Sequence, residues 1–247
     1  MKTVISYHPI SEKEIHNWYY NMDFSLISDD VNYSMIKTAR AEKMDDESLK
    51  KYIKTMKQAV KTDSNAVFDS THGFFIATIQ NYFRQSFIVN VSFSRLIEQK
   101  EYFKEYTKPW EEILEKAGDF TFLNSLTTDT PSSGIYIPLE KVVELLKDYN
   151  GNLIVKKDID DFFGQSNAKA FIESLNYAKE NNTGLLEANG ILKLELSIEN
   201  DKNETLSKPT KAIDESQGLK DDPKSEVAAE KENKEKKSLF SRVFGSK

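Results

Sequence analysis

The 247-residue chain contains no cysteine. Disulfides, thiolate metal ligands and a cysteine nucleophile are therefore all excluded, and cysteine usage carries no compartment signal. Histidine is scarce as well: His8, His16 and His72 are the only three. No pair of them has the His-x-x-x-His or Glu-x-x-His spacing of a metal site. There is no Walker-type loop and no Gly-x-Gly-x-x-Gly run, so no cofactor is expected. No stretch approaches the ~18 consecutive apolar residues of a spanning helix. The start, Met1 to Pro9, lacks the apolar core of a secretory signal. A cytoplasmic protein is the simplest expectation. An excess of positive charge is also missing. Residues 1–199 hold 23 Lys+Arg and 30 Asp+Glu, whereas residues 200–247 hold 11 and 10. The acidity belongs to the first 199 residues, so no nucleic-acid binding is expected, because that depends on neutralising phosphates. A basic protein partner is permitted, although acidity is also the ordinary state of soluble proteins.

What the chain does have is well-punctuated periodicity. Residues 2–8 read as a strand. Ser11 and Glu14 have capping-box spacing, with Ile10 and Ile15 at the staple positions, so a helix should start at Glu12 and carry Ile15, Trp18, Tyr19 and Met22. Asp29-Asp30 can cap a second helix, to about residue 43. Asp45-Asp46 can cap a third, with Leu49, Ile53, Met56 and Val60 on one face. Gly73 to Ile79, followed by Tyr82 and Phe83, reads as a buried helix. Phe87 to Phe93 fits a strand or a continued helix. Helices near 94–105 and 109–117 follow, the latter with Pro109 near its start. Residues 118–134 look like a loop.

Pro138 opens a helix striped by Leu139, Val142, Val143, Leu146 and Tyr149, and Asn150-Gly151 stops it. Another helix spans about 167–180. Asn189-Gly190 is a favoured type I′ pair, predicting a hairpin whose second arm runs through Ile191, Leu192, Leu194, Leu196 and Ile198. The expected fold is α+β: a helix-rich single domain over 1–199 with a small antiparallel β component. Residues 200–237 have no aromatic residue. Rich in Lys, Glu, Asp, Ser and Pro, they bury too little apolar surface to order, so a disordered polar tether is expected.

Two internal constellations invite chemistry. Asp69-Ser70-Thr71-His72-Gly73 gathers a carboxylate, hydroxyls and an imidazole, the residue types of a nucleophile, base and orienter. Asp69, Ser70 and His72 are the catalytic candidates there. Sequence neighbours seldom have triad geometry, no Gly-x-Ser-x-Gly elbow is present, and helix capping explains the same residue types. Asp148-Tyr149-Asn150-Gly151-Asn152 hints at a calcium loop, but the register puts Leu153 at the required glycine and Ile159 at the bidentate Glu position. Asp158, Asp160 and Asp161 read as a cap for Phe162-Phe163 rather than a metal cluster.

The end of the chain is apolar and basic. Over 238–245, Ser238 can cap and Gly245 can end a short helix whose Leu239, Phe240, Val243 and Phe244 share one face. Lys236, Lys237, Arg242 and Lys247 surround it. This tip resembles the short C-terminal membrane-targeting helices of MinD-type division ATPases. The resemblance covers about a dozen residues and implies only an anionic-membrane contact, since the ATPase motifs are absent from the rest. The same anchors suit docking into a protein groove, and a solubilising tail with an apolar end is the third reading.

Two functional classes follow. The leading expectation is a cytoplasmic, non-enzymatic interaction or regulatory protein, with toxin neutralisation as one narrower form. Its tip docks to a partner or to the inner face of a membrane. The alternative is a hydrolase-type enzyme built on Asp69–His72.

Overall fold

The computed structural model describes residues 4–20, 33–61, 72–114, 124, 126 and 131–191. The Asp29-Asp30 cap, Asp69 to Thr71, the tether and the tip lie outside these residues. Among the described residues the fold is α+β and helix-rich, with one four-stranded antiparallel sheet in the order β2-β1-β4-β3.

Strands β1 (Ile5–Ile10), β3 (Ser132–Ile137) and β4 (Gly184–Asn189) are buried along their whole length. Strand β2 (Phe87–Ile88) is a two-residue edge. The sheet is covered on both faces, and its strand alternation divides it between two cores. Ile5, Tyr7, Ile135, Ile137 and Leu185 face the first, and Ile10, Tyr136, Leu186 and Ala188 face the second. Pro9 sits within β1 although it cannot donate to a ladder. The carbonyl of Ile5 points towards β2, where it accepts from Val89 and Asn90. By the same alternation Pro9 turns its nitrogen to that side, beyond Phe87, where β2 has not yet begun.

The first core is covered by α5 (Phe93–Gln99), a 3-10 helix (Glu101–Tyr106), α7 (Leu139–Gly151), α8 (Leu153–Phe163) and α9 (Gln165–Glu180). Phe171 is its centre, with ring centroids 5.0 Å from Tyr7, 5.3 Å from Phe93 and 4.7 Å from Phe163. The second is covered by α1 (Glu12–Ile15) with a π turn (His16–Tyr20), α2 (Tyr33–Ala41), α3 (Asp46–Val60), α4 (Phe74–Phe83) and α6 (Trp110–Ile113). Trp18 stacks on Phe83 at 3.9 Å, and the Tyr52 hydroxyl donates to the Trp18 carbonyl at 2.6 Å.

Local capping signals hold. Both bonds of the Ser11–Glu14 box form, and Asp45 accepts from the backbone of Glu47 and Ser48. Each such cap is worth about 1 kcal/mol. Arg84, just past α4, forms an ion pair with Glu14 and lies over the Trp18 ring. The helix from Glu12 does not continue as α: after one turn it widens into the π turn.

Other expectations are corrected. The loop does not extend to Gly134, because Ser132 to Ile137 form β3. Phe93 is not the end of a strand; Ser92 caps α5 there by accepting from Arg95. Leu145, not Val143, completes the buried stripe of α7; Val143 is exposed. Asp158, Asp160 and Asp161 do not cap a turn but lie within α8, whose cap is Asn152, accepting from Ile154 and Val155. Asp158 accepts from Tyr102, and Asp160 and Asp161 pair with Lys156 and Lys157. The hairpin at Asn189-Gly190 is also overturned. Both edges of β4 are occupied, by β1 and β3, up to Asn189, so no following strand can pair with β4 as a hairpin arm; Leu192, Leu194, Leu196 and Ile198 of that expected arm lie outside the described residues. Asn189 lacks the positive φ that type I′ needs, while Gly190 has φ +76°.

Candidate functional site

A doubly covered sheet should be apolar throughout. This one buries polar side chains on each face. Facing the second core, His8 Nδ1 lies 2.8 Å from Gln80 Oε1, and Ser6 Oγ lies 2.9 Å from His8 Nε2. Gln80 is oriented by donating its amide to the carbonyls of Arg84 and Gln85. Its oxygen must therefore accept from His8, which fixes the proton on Nδ1 and leaves Nε2 to accept from Ser6. Burial pushes the imidazole down to about 4, so it stays neutral.

Facing the first core, Glu187 is fully buried beneath the start of α5. Ser94 Oγ donates to its Oε2, and the Ser94 amide approaches Oε1 at 3.3 Å. Tyr7 Oη lies 3.1 Å from Oε1 and 3.0 Å from the Val91 carbonyl, and accepts from the Phe93 amide. The single hydroxyl proton of Tyr7 can serve Val91 or Glu187, not both. The contacts close if the carboxyl is neutral and donates to Tyr7. Burial raises its pKa, against the lowering effect of the Ser94 and Ser92 hydroxyls. Gly134 packs directly on this carboxyl: a Cβ there would also press within 2.9 Å of Leu126. Gly134, which looks like loop in sequence, is what gives β3 room beside a buried acid.

Ser94 also lies at the edge of an open cleft of about 920 Å³ between α5, the 3-10 helix and α6. Four glutamates line it, Glu98, Glu101, Glu111 and Glu112, against Lys104 and Lys108. Lys108 bonds both oxygens of Glu12, at 2.8 and 3.0 Å, which raises its pKa and spends its charge. The cleft is thus acidic.

His72 is elsewhere, against the second core. It is 4% exposed, with Nδ1 at the Tyr19 hydroxyl and its ring edge-on to Tyr19 and Phe75. Burial pushes it down to about 4. Asp69 and Ser70 lie outside the described residues, as do Lys236, Lys237, Leu239, Phe240, Arg242, Val243 and Phe244. His16 Nε2 lies 3.0 Å from the Ile113 carbonyl. No group of three or more acidic or histidine side chains among the described residues is placed to hold a metal ion. No described helix is long and apolar enough to cross a membrane. Glu187 escaped the sequence reading; the signal was one charge inside Gly184-Leu185-Leu186-Glu187-Ala188.

No family model matches this chain, and none of the curated proteins or solved structures compared with it does.

Proposed function

We propose that this is a non-enzymatic interaction protein that works at the inner face of an anionic membrane. Its C-terminal tip docks on the lipid surface, and its folded part offers the acidic cleft to a basic segment of a protein partner. The carrying observation is the charge of the cleft: four glutamates face it and one of its two lysines is already paired. A basic segment is the chemistry that complements it. The support for the tip is its sequence pattern, one apolar face ringed by Lys236, Lys237, Arg242 and Lys247. Each such cation adds about 1 kcal/mol near an anionic leaflet. A tether of this kind reaches roughly 35 Å, so the tip need not compete with folding.

The buried polar clusters are better accounted for by the fold than by catalysis, since their groups are engaged and enclosed. A hydrolase built on Asp69–His72 would need an imidazole that a substrate can approach, and His72 is enclosed by aromatic rings.

The test is co-sedimentation of the full chain with anionic and neutral vesicles. Anionic vesicles should bind more, and the difference should shrink in high salt. Phe240→Asp with Phe244→Asp should abolish the binding without unfolding the domain. Binding that survives the double change would remove the tip from this role. Tip-dependent capture of a protein without vesicle binding would replace the lipid by a protein groove.

A further inference from the structure

Helix α3 turns a row of lysines away from the core. Lys50, Lys51, Lys54, Lys57 and Lys61 recur three and four residues apart, so they share one side over three turns. Tyr52, Thr55, Met56 and Ala59 hold the opposite side against the second core. Lys50, Lys54 and Lys61 are exposed and make no ion pair among the described residues. Opposing charge on this helix is confined to its start: Asp45 is the cap, Asp46 and Glu47 fill the first turn, and Glu47 pairs with Lys51. From Tyr33 to Lys61 the chain holds eight Lys+Arg against four Asp+Glu, whereas the whole chain holds 34 against 40.

Folding does not ask for such a row. Like charges four residues apart weaken a helix, and Lys50 with Lys54 and Lys57 with Lys61 are two such pairs. Helix α8 shows the ordinary solution in the same molecule: Lys156 and Lys157 are each followed, four residues on, by an aspartate that pairs with them. The row is also straight. From Lys50 to Lys61 the helix rises about 16 Å. No aromatic side chain of α3 shares this side, so nothing on it can stack on a base. A line of point charges without a reading group suits a plane of mobile phosphates, the surface of an anionic leaflet.

We infer that the lysine face of α3 is a second membrane contact, lying on the head groups while the tip inserts. This rests on the membrane role proposed above. It makes that role bivalent: a weak tip and a weak helix face joined by one tether bind far more tightly than either alone.

Because the chain has no cysteine, Gln58→Cys gives a unique site for a fluorophore within the lysine face of the full-length protein. Lys169→Cys, exposed on α9 across the sheet, serves as the reference. With anionic vesicles that carry a head-group quencher, the label at 58 should be quenched and the label at 169 should not. Lys54→Glu with Lys61→Gln should weaken vesicle affinity roughly tenfold more than Lys169→Glu with Lys179→Gln, which changes the net charge equally. Its urea midpoint should hold, because Glu at 54 meets Lys50 and Lys57 with opposite charge. Quenching of the 58 label in the Phe240→Asp, Phe244→Asp background at high lipid would uphold the face even if the tip failed. Vesicle binding with the 58 label unquenched, or equal losses in the α3 and α9 variants, overturns the face alone. No vesicle binding by any variant overturns both contacts. Binding of a single-stranded polynucleotide that Lys54→Glu with Lys61→Gln abolishes, with the 58 label unmoved by vesicles, would overturn the lipid and make a nucleic acid the occupant.

Discussion

The centre of the sheet and the lysine face of α3 treat their exceptional residues in opposite ways. In the centre, ionisable groups are buried, and each is held by neighbours on the strands and helices around it: His8 by Gln80 and Ser6, Glu187 by Ser94 and Tyr7. On α3, Lys50, Lys54 and Lys61 are exposed among neighbours of the same sign. The first kind of exception is explained by folding, because an enclosed polar group is costly unless satisfied. The second kind is not, so function is to be sought there. Variants of the interior should therefore cost stability, and variants of the α3 face should cost binding.

The largest stability effect should come from Phe171. Three aromatic rings pack on it, and Phe171→Ala should lose about 4 kcal/mol through transfer and cavity terms, read from urea denaturation. A loss under 1 kcal/mol would mean that the first core is not organised as described.

The two sheet faces can then be separated by pH. The folded pKa of His8 lies at about 4 and its ordinary value at 6.5. A lowered pKa contributes stability that is present above 6.5 and is lost as pH falls through about 4. The unfolded chain binds the proton first, and the full loss is about 3 kcal/mol. His72, likewise pushed down to about 4 by burial, adds to this limb. His8→Gln should flatten the limb between pH 6.5 and 4. Glu187 runs the other way. Its folded pKa is raised, so its contribution is full below the ordinary carboxylate value and is lost as pH rises through the folded one. Glu187→Gln should remove that loss on the way to neutral pH and leave the histidine limb intact. Identical pH profiles for the two variants would erase the distinction between the faces.

How much of this was legible in the sequence depends on range. The Ser11–Glu14 box, the Asp45 cap and the Pro138 start are local agreements between a side chain and the next turn, and these formed as expected. Strand β3 was not legible, because Ser132-Ser133-Gly134 carries turn residues, and the reason for Gly134 is Glu187, more than fifty positions away. The hairpin at Asn189-Gly190 was misread because nothing local reveals that β4 already has a neighbour on each side. Helix α8 was obscured at both ends: Leu153 and Ile154 spoil its apolar stripe, and three aspartates imitate a turn. Of the candidate residues, only His72 lies among those described, and its enclosure by Tyr19 and Phe75 comes from tertiary packing. The lysines of α3 were visible as letters but not as a site, since a charged helix side reads first as a solvated face.

The most direct measurement is a paired one on the full chain: the urea midpoint and the affinity for anionic vesicles, each for Phe171→Ala and for Lys54→Glu with Lys61→Gln. The interior variant, at a urea concentration where it remains folded, should keep vesicle affinity and lose stability. The α3 variant should keep its midpoint within about 0.5 kcal/mol of stability and lose affinity. An α3 variant that binds vesicles as well as the unaltered chain would contradict the claim that the residues folding leaves unexplained are the ones that carry function.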